Sequence, residues 1–414
     1  MSMGANTSEL DTSRDTAILK RLRIAIIHYW FVSEGGGERV VEVLADMFPE
    51  ADIFALVVNP ERLPQSLRKR KLHTSFLQRI PGSRRFHRHF LLLHPLALEQ
   101  FDLSSYDLVI SSESGPAKGV ITSAKTCHVC YCHSPMRYLW DMHAEYKAAM
   151  NPVVRMIYSL ASSWLRVWDL ATASRVDFFV ANSHFVASRI QKLYRRSSEV
   201  IWPPVNIGAG RVQRQLGKYY LCVGRLVDYK RIDLAVKVCS RLGRRLKVVG
   251  DGPLLKKLQG MAGPTIEFSG IETASELEES FAGCRALLFP GEEDFGMVPV
   301  EAQSFGRPVI AYGSGGALET IRGYWPDQPF EEDRTGIFFT SQTESSLEEA
   351  ILGFESVEAK FSPEIVAAHA RQFDTARFKS HMEQFLAQSY QSFSKMRMPL
   401  PGSATRNPSI PVAN

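Results

Sequence analysis

The sequence lacks the features that mark membrane-spanning and secreted proteins. No run approaches the ~20 apolar residues that a transmembrane helix needs, so no spanning segment is predicted. The first twenty residues contain acidic side chains and no apolar segment of the kind found in an export signal. We therefore expect a disordered lead over residues 1–20 and a cytoplasmic protein, with peripheral attachment to the inner face of the cell membrane as the alternative.

Cysteine is also scarce, because six residues in 414 are too few for a disulfide scaffold at this length. Three of the six lie between Cys127 and Cys132, next to histidines, and zinc binding is one interpretation of that run. The cysteines alternate with Val and Tyr, however, and no second Cys/His cluster completes a tetrahedral ligand set. We interpret the run as a buried strand with structural cysteines.

The excess of positive charge is small. The net charge is +5 and the pI is about 8.8, well short of a nucleic-acid-binding composition, so no nucleic-acid partner is expected. Hydrophobic residues make up 45% of the chain and charged residues 22%, as in soluble globular proteins. A chain of 414 residues is longer than a single hydrophobic core usually supports, so two domains are predicted.

A GxGxxG dinucleotide fingerprint is absent, although a glycine turn follows the first predicted strand. That strand covers residues 23–30, and Gly35, Gly36 and Gly37 precede a helix predicted to begin near Glu38. A glycine turn at the carboxyl edge of a parallel sheet lets the backbone approach a ligand. A tight turn that binds nothing is the alternative.

Residues 287–321 carry the strongest signal in the chain. A buried strand leads into a loop with Glu293, and a helix predicted over 297–305 contains Glu301. The amides of residues 296–298 would point out of the helix N-terminus, which suits phosphate, and a carboxylate just inside the helix can bind the two hydroxyls of a nucleotide ribose. Glu293 would lie in front of the phosphates, at the position of a sugar attached to them. Alternatively, both glutamates only interact favourably with the positive end of the helix dipole.

Two cations and a histidine complete the set of candidate side chains. Arg225 and Lys230 bracket a strand-to-helix loop, so both can reach one diphosphate; a solvated surface loop is the alternative. His133 follows a strand predicted over 126–132, which puts it at the carboxyl edge of the first sheet. No DxD motif lies where a divalent ion could bridge to the diphosphate, so no metal requirement is expected.

This combination resembles the acidic EX7E motif of retaining glycosyltransferases with the GT-B fold, and most closely glycosyltransferase family 4. The resemblance rests on Glu293, Phe295-Gly296 and Glu301, followed by GRPVIA at 306–311 and the turn at Gly315-Gly316. It implies an α/β fold in which two Rossmann-like parallel-sheet domains face a central cleft. The implied divisions are an acceptor-binding domain (21–205), a nucleotide-sugar-binding domain (206–377), a helix packing back on the first domain (about 378–394) and a disordered tail (395–414).

The resemblance also implies roles for individual residues. The implied catalytic set is His133, Glu293, Lys230 and Arg225, with His133 contacting the sugar or acceptor and Glu293 supporting charge without covalent attack. The implied donor-binding set is Gly35, Gly36, Gly37, Arg225, Lys230, Ile271, Glu293, Phe295, Gly296, Met297, Val298 and Glu301. Ser183 matches a position near the acceptor, although capping of the following helix explains it equally well. No metal site and no cofactor beyond the nucleotide sugar are implied.

The implied activity is transfer of a hexosyl group from a nucleotide sugar to a hydroxyl of a glycan acceptor, with retention of configuration. The run HSPMRYLW at 133–140 is similar to that of bacterial mannosyltransferases acting on polyprenyl-diphosphate-linked sugars in cell-surface polysaccharide synthesis. GDP-mannose is therefore the expected donor. The alternatives are a UDP-sugar donor, another GT-B enzyme such as a phosphorylase or epimerase, and a non-catalytic nucleotide-sugar-binding scaffold.

Two amphipathic stretches remain. Segment 67–101 places basic residues beside aromatic and apolar ones, among them Arg84, Arg85, Phe86, Arg88, Phe90 and Leu91–Leu93. It suits either docking on anionic lipid or a core helix with a solvated basic side. A helix predicted over 152–173 repeats apolar residues at helical spacing, and we expect its stripe to be buried in the core: Met156, Leu160, Trp164, Val167 and Leu170.

Overall fold

Two parallel sheets of seven strands each organise the molecule. The computed structural model describes residues 16–397, apart from 33, 34, 149, 208–211, 213 and 216. The strands of the first sheet are β1 (Ile24–Phe31), β2 (Asp52–Val58), β3 (Leu72–Thr74), β4 (Leu108–Glu113), β5 (Cys127–Cys132), β6 (Phe178–Ala181) and β7 (Ser198–Val200). The strands of the second sheet are β8 (Tyr219–Val223), β9 (Leu246–Val249), β10 (Ile266–Gly270), β11 (Cys284–Phe289), β12 (Val309–Tyr312), β13 (Gly323–Tyr324) and β14 (Gly336–Phe339). The prediction of an α/β protein with two Rossmann-like sheets is confirmed.

Helices cover both sheets. In the first half they are α1 (Gly36–Met47), α2 (Ser83–Phe86), α3 (His94–Glu99), α4 (His143–Ala148), α5 (Pro152–Ala173) and α6 (His184–Tyr194). In the second half they are α7 (Ile232–Leu242), α8 (Leu255–Met261), α9 (Ala274–Gly283), α10 (Met297–Ser304), α11 (Ala317–Thr320), α12 (Glu344–Val357), α13 (Pro363–Ala370) and α14 (Thr375–Arg397). Because both faces of a parallel sheet are covered, its strands are buried along their length, as every residue of β4 and β5 is.

The strand order fixes where a ligand can bind. The first sheet runs β3-β2-β1-β4-β5-β6-β7 and the second β10-β9-β8-β11-β12-β14-β13. In each sheet the order reverses beside the first strand, which opens a crevice at the carboxyl ends of β1 and β4 and of β8 and β11. His28 on β1 lies opposite Ser112 on β4 in this register.

The last helix returns to the first half of the chain. Phe378, Met382 and Leu386 on α14 are buried in the cluster that also contains β1 and β2 residues. Val205, at the end of the first half, pairs with Asp374 just before α14. The two points at which the chain passes between the halves, near Val205 and near Asp374, are therefore adjacent.

The ends of the described chain are more ordered than the sequence indicated. Leu19, inside the predicted lead, lies in a short 3-10 helix and is buried, and α14 extends through residues 395–397 of the predicted tail. Both segments continue ordered parts of the fold and pack against them, and composition alone does not reveal such packing. The rest of the predicted lead (1–15) and tail (398–414) lies outside the described residues.

One prediction about the core is wrong. The apolar stripe of α5 is exposed, with Leu160 at 71% and Val167 at 68% of their full accessibility. The buried side of the helix is instead a mixed one, with Leu165, Asp169 and Thr172. Among the helices of the described ranges, none combines the length and apolar content needed to cross a bilayer.

Candidate active site between the two sheets

The candidate residues cluster where the carboxyl ends of the two sheets face each other. A β-carbon added to Gly36, at the start of α1, would lie 2.8 Å from Met297 Sδ at the start of α10. A β-carbon on Gly37 would lie 3.7 Å from His133 Nε2. The glycine turn, the end of β5 and the N-terminus of α10 therefore meet, and residue 36 has no room for a side chain unless Met297 moves.

Lys230 and Glu293 form an ion pair in the second half of the cleft. Lys230 Nζ lies 2.7 Å from Glu293 Oε1, and their side chains are only 14% and 19% exposed. Burial on its own would lower the pKa of Lys230, but the facing carboxylate outweighs it and raises that pKa above the ordinary value. Lys230 is thus a fixed cation at the position where a diphosphate was expected.

Arg225 differs from Lys230 in its environment. It lies in the same loop, which follows β8, but its side chain is exposed. Within the described part of the chain it forms no ion pair, so its guanidinium is available to a ligand in the cleft.

The loop before α10 is held in shape by its backbone. Gly296 has φ of +87°, a left-handed conformation that favours glycine, and the Glu293 carbonyl accepts a 2.8 Å hydrogen bond from the Gly316 amide. Phe295, predicted to bind the donor, is buried and packs its ring 5.6 Å from that of Phe373. Only the backbone of Phe295 is therefore placed to face a ligand, at the N-terminus of α10, whose first two residues are Met297 and Val298.

Glu301 has a partner that sequence reasoning missed. Its Oε1 accepts a 2.7 Å hydrogen bond from Arg39 Nη1 on α1, in the other half of the molecule. The carboxylate was expected to bind a ribose, and Arg39 now occupies one of its oxygens. A nucleotide that uses Glu301 must either share it with Arg39 or displace that guanidinium.

Asp294 joins the two halves beside Glu293. It is buried and accepts hydrogen bonds from Arg137 Nε at 2.8 Å and from Arg189 Nη1 at 2.7 Å, both from the first half. Burial would lower the pKa of Arg137, but Asp294 outweighs it and raises that pKa. The Arg137 guanidinium also lies 5.5 Å from the centre of the Tyr229 ring, next to Lys230. Local sequence gives no signal for this network.

A chain of hydrogen bonds supports His133. Ser112 Oγ lies 2.8 Å from His133 Nε2 and 3.2 Å from His28 Nδ1. Burial lowers the pKa of His133 to about 4 although Asp294 opposes the shift. Burial, with the repulsion that a protonated His133 would exert, lowers the pKa of His28 well below its ordinary value. Both imidazoles are therefore neutral at pH 7. The one available signal for His28 was a histidine inside the apolar run of the first strand.

Two further predicted residues, Ser183 and Ile271, have different environments. Ser183 is fully buried at the N-terminus of α6, where its hydroxyl accepts a 3.0 Å hydrogen bond from the Val186 amide and donates one to Asn182. Helix capping accounts for the bond from Val186. Ile271, expected to meet the nucleobase through its backbone, follows β10 and its side chain is 72% exposed.

The cysteines of β5 contribute no ligand set. Cys127, Cys130 and Cys132 are buried in the strand, as predicted, and burial raises the pKa of each thiol. Across the ranges that the structure describes, no three His, Cys, Asp or Glu side chains converge as a metal site would require.

Comparison with known proteins gives matches in both halves. Residues 34–208 match the model for Glycosyltransferase Family 4, and residues 212–368 match the model for glycosyl transferases group 1. The alpha-1,3/1,6-mannosyltransferase ALG2 of Saccharomyces cerevisiae is 24% identical over 284 residues, which cover 54% of this chain and 54% of that protein. A GDP-mannose-dependent alpha-mannosyltransferase of Mycobacterium tuberculosis is 38% identical over 100 residues, 24% of this chain and 26% of that protein. The chain spans about half the length of these curated relatives, or less.

Solved structures share the fold. HepE of Anabaena, in complex with UDP and glucose, has a TM-score of 0.65 and 17% identity, covering 88% of this chain and 99% of that one. The catalytic domain of starch synthase IV from Arabidopsis thaliana, bound to ADP and acarbose, has a TM-score of 0.58 and 11% identity, covering 89% of this chain and 99% of that one. At these identities the likeness shows the shared fold of two facing sheets and nothing finer.

Proposed function

Residues 34–208 and 212–368 match two glycosyltransferase family models, and on this basis we propose that the chain is a family 4 glycosyltransferase that transfers mannose from GDP-mannose to a hydroxyl of a glycan acceptor with retention of configuration. The observation that carries the proposal is the largely buried Lys230–Glu293 pair, which faces the same cleft as His133 and the N-terminus of α10. A glycosyl transfer needs a cation where the leaving diphosphate gains charge and a polar group beside the sugar. The pair supplies both.

Donor binding would exchange the partners of this pair. A diphosphate that reaches the loop after β8 competes with Glu293 for the Lys230 ammonium, since the two side chains are now 2.7 Å apart. Once released, the Glu293 carboxylate can accept hydrogen bonds from sugar hydroxyls. Arg225 and the amides at the start of α10 would add to the positive potential on the phosphates.

We further propose that transfer needs no divalent metal. Lys230, Arg225 and the helix amides would stabilise the leaving diphosphate directly, and the chain has no DxD motif. Unchanged turnover in excess EDTA is the expected result. Loss of turnover that Mg²⁺ or Mn²⁺ restores would contradict this part of the proposal.

The choice of mannose is supported by the curated relatives named as mannosyltransferases, one of them GDP-mannose-dependent. A UDP-sugar donor is the second candidate, favoured by the fold neighbour that holds UDP and glucose. The proposed acceptor is a glycan carried on polyprenyl diphosphate, which would place the enzyme at the inner face of the cell membrane.

Nucleotide binding provides the test. The thermal midpoint of the purified protein is measured with GDP, UDP and ADP, in EDTA, beside the variant Lys230→Met. A rise with GDP that exceeds the other two and is reduced in the variant supports the proposal. A response to UDP alone would replace GDP-mannose with a UDP-sugar, and no response to any nucleotide would favour the non-catalytic scaffold. Transfer of labelled mannose from GDP-mannose to a polyprenyl-diphosphate-linked sugar then tests the acceptor.

A further inference from the structure

The outer face of α5 is an unpartnered apolar surface. The helix has 22 residues, about 33 Å of length at ~1.5 Å per residue. Its large apolar side chains that are exposed are Val153, Val154, Met156, Ile157, Leu160, Trp164, Val167 and Leu170. A contiguous apolar face of this length on a soluble domain marks a contact surface.

Polar contacts on the inner face fix the orientation of the helix. Asp169 is fully buried, pairs with the buried Lys118, and accepts hydrogen bonds from Trp140 Nε1 at 2.8 Å and from Tyr194 Oη at 3.0 Å. Rotating the helix to bury its apolar stripe would expose Leu165 and break every one of these contacts. The apolar face is therefore held outward by a buried ionic network.

A second apolar segment adjoins this face. Leu92, Leu93 and Leu96 are exposed on the residues that lead into and form α3, and Phe86 is exposed at the end of α2. Trp168 of α5 contacts Glu99 at the end of α3 through a 3.4 Å hydrogen bond, and Leu91 packs in the cluster formed around Leu139 and Leu165. The two exposed apolar segments thus belong to neighbouring elements. We call them together the apolar face.

The charge around the apolar face is mainly positive, although Glu99 and the exposed Glu145 of α4 lie on elements that contact α5. Between Glu61 and Glu99 the sequence contains nine Lys and Arg residues and no acidic residue. The only acidic residue of α5 is the buried Asp169. Arg84 and Arg85 are exposed, and no ion pair joins either of them to another residue of the described chain. The side chain of Arg88 lies outside the described residues.

We propose that the apolar face docks the protein on an anionic bilayer, with α5 lying in the plane of the interface and the nearby arginines contacting lipid phosphates. Apolar side chains flanked mainly by basic ones are what such a surface binds. A second copy of the chain fits less well, because a two-fold interface through this face would bring like-charged arginines together. The docking goes beyond the transfer reaction and needs neither donor nor acceptor.

The location links docking to the cleft. Arg166 of α5 donates a 3.0 Å hydrogen bond to the Leu139 carbonyl, and Leu165 packs against Leu139. This contact lies in the segment that begins at His133 and contains Arg137. The helix proposed to lie on the bilayer therefore packs against the segment that carries two residues of the cleft.

Vesicle flotation tests the proposal. The full chain, without donor or acceptor, is mixed with vesicles of phosphatidylcholine and phosphatidylglycerol or of phosphatidylcholine alone. Three variants accompany it: Leu160→Gln/Trp164→Gln on the apolar face, Arg84→Gln/Arg85→Gln beside it, and the control Leu352→Gln/Ile365→Gln, which changes exposed apolar residues of the second half. Circular dichroism and the thermal midpoint establish that each variant is folded.

We expect the wild type and the control to float with the anionic vesicles. The Leu160/Trp164 variant should bind at least about tenfold more weakly, because two large apolar side chains no longer enter the lipid interface. The Arg84/Arg85 variant should also bind more weakly than the wild type, and this difference should grow with the fraction of anionic lipid in the vesicles. Wild-type binding by the Leu160/Trp164 variant, or no binding by the wild type, would overturn the proposal. Equal binding to both vesicle types would overturn the anionic requirement. Self-association without vesicle binding, abolished in the Leu160/Trp164 variant, would assign the face to a second copy.

Discussion

Replacing Lys230 by Met tests the candidate site most directly. The substitution keeps the aliphatic stem and removes the ammonium that lies 2.7 Å from Glu293 Oε1. The variant loses the cation proposed to stabilise the leaving diphosphate, while its packing is preserved. Lys230→Arg is the companion change, since it keeps the charge but alters its geometry.

The expected losses in turnover and in stability differ in size. A preorganised group that stabilises charge in a transition state contributes roughly 10²–10³ in kcat, or about 2.7–4 kcal/mol. The unpaired Glu293, 19% exposed, would cost about 1–3 kcal/mol of unfolding free energy. A typical domain is stable by ~5–15 kcal/mol, so the variant should fold and fail to turn over.

Transfer kinetics and urea unfolding are measured on the same preparations. The matched control is Lys237→Met, which breaks the exposed 3.1 Å pair between Lys237 of α7 and Glu344 of α12. Such a surface pair is worth about 0–1 kcal/mol, and kcat should not change. The reasoning fails if Lys230→Met turns over within about threefold of the wild type. It fails equally if Lys237→Met loses as much activity.

Three further predictions concern other titratable groups. Asp294→Asn leaves Arg137 and Arg189 without their shared carboxylate, so urea unfolding should show a loss of about 3 kcal/mol together with a fall in kcat/KM; unchanged values for both would contradict the interpretation. Glu301→Gln should raise KM for the donor about tenfold or more, whereas Arg39→Ala should leave KM unchanged or lower it, because Arg39 competes for the same carboxylate. His94 and His128 are buried with pKa values lowered to about 4 from 6.5, chiefly by burial, so between those pH values the unfolded chain binds protons that the folded protein excludes. Stability should therefore decline as pH falls through that window, by at most ~1.4 kcal/mol per pH unit for each histidine, and a thermal midpoint that stays constant there would refute the assignment.

The local parts of the site could be predicted because their signals are local. The buried strand, the acidic loop and the helix around Glu293 follow one another within a short stretch, and the helix predicted over 297–305 is Met297–Ser304 in the structure. The strand predicted over 23–30 is β1 (Ile24–Phe31) in the structure, and the one predicted over 126–132 is β5 (Cys127–Cys132). In each case the residues that form the element also carry its pattern.

The contacts between the two halves could not be predicted. Arg39 and Glu301 are 262 positions apart in the sequence, and Arg137 and Asp294 are 157 apart. No periodicity or spacing relates such residues, because their proximity results from two sheets facing each other. The side chains that join the halves at Asp294 therefore become visible only in the folded chain.

The apolar stripe of α5 shows a different limit of sequence reasoning. Helical periodicity identifies which residues share a face, but burial of that face is an added assumption. Here the opposite face carries Asp169, whose charge is compensated by Lys118 from a distant loop, and this pair makes the polar side the inner one. A stripe that looks like core in the sequence is then left outside, near Arg84 and Arg85, which no ion pair joins to another described residue. The same sequence pattern thus describes a core helix or an interfacial one, and the buried counter-ion decides between them.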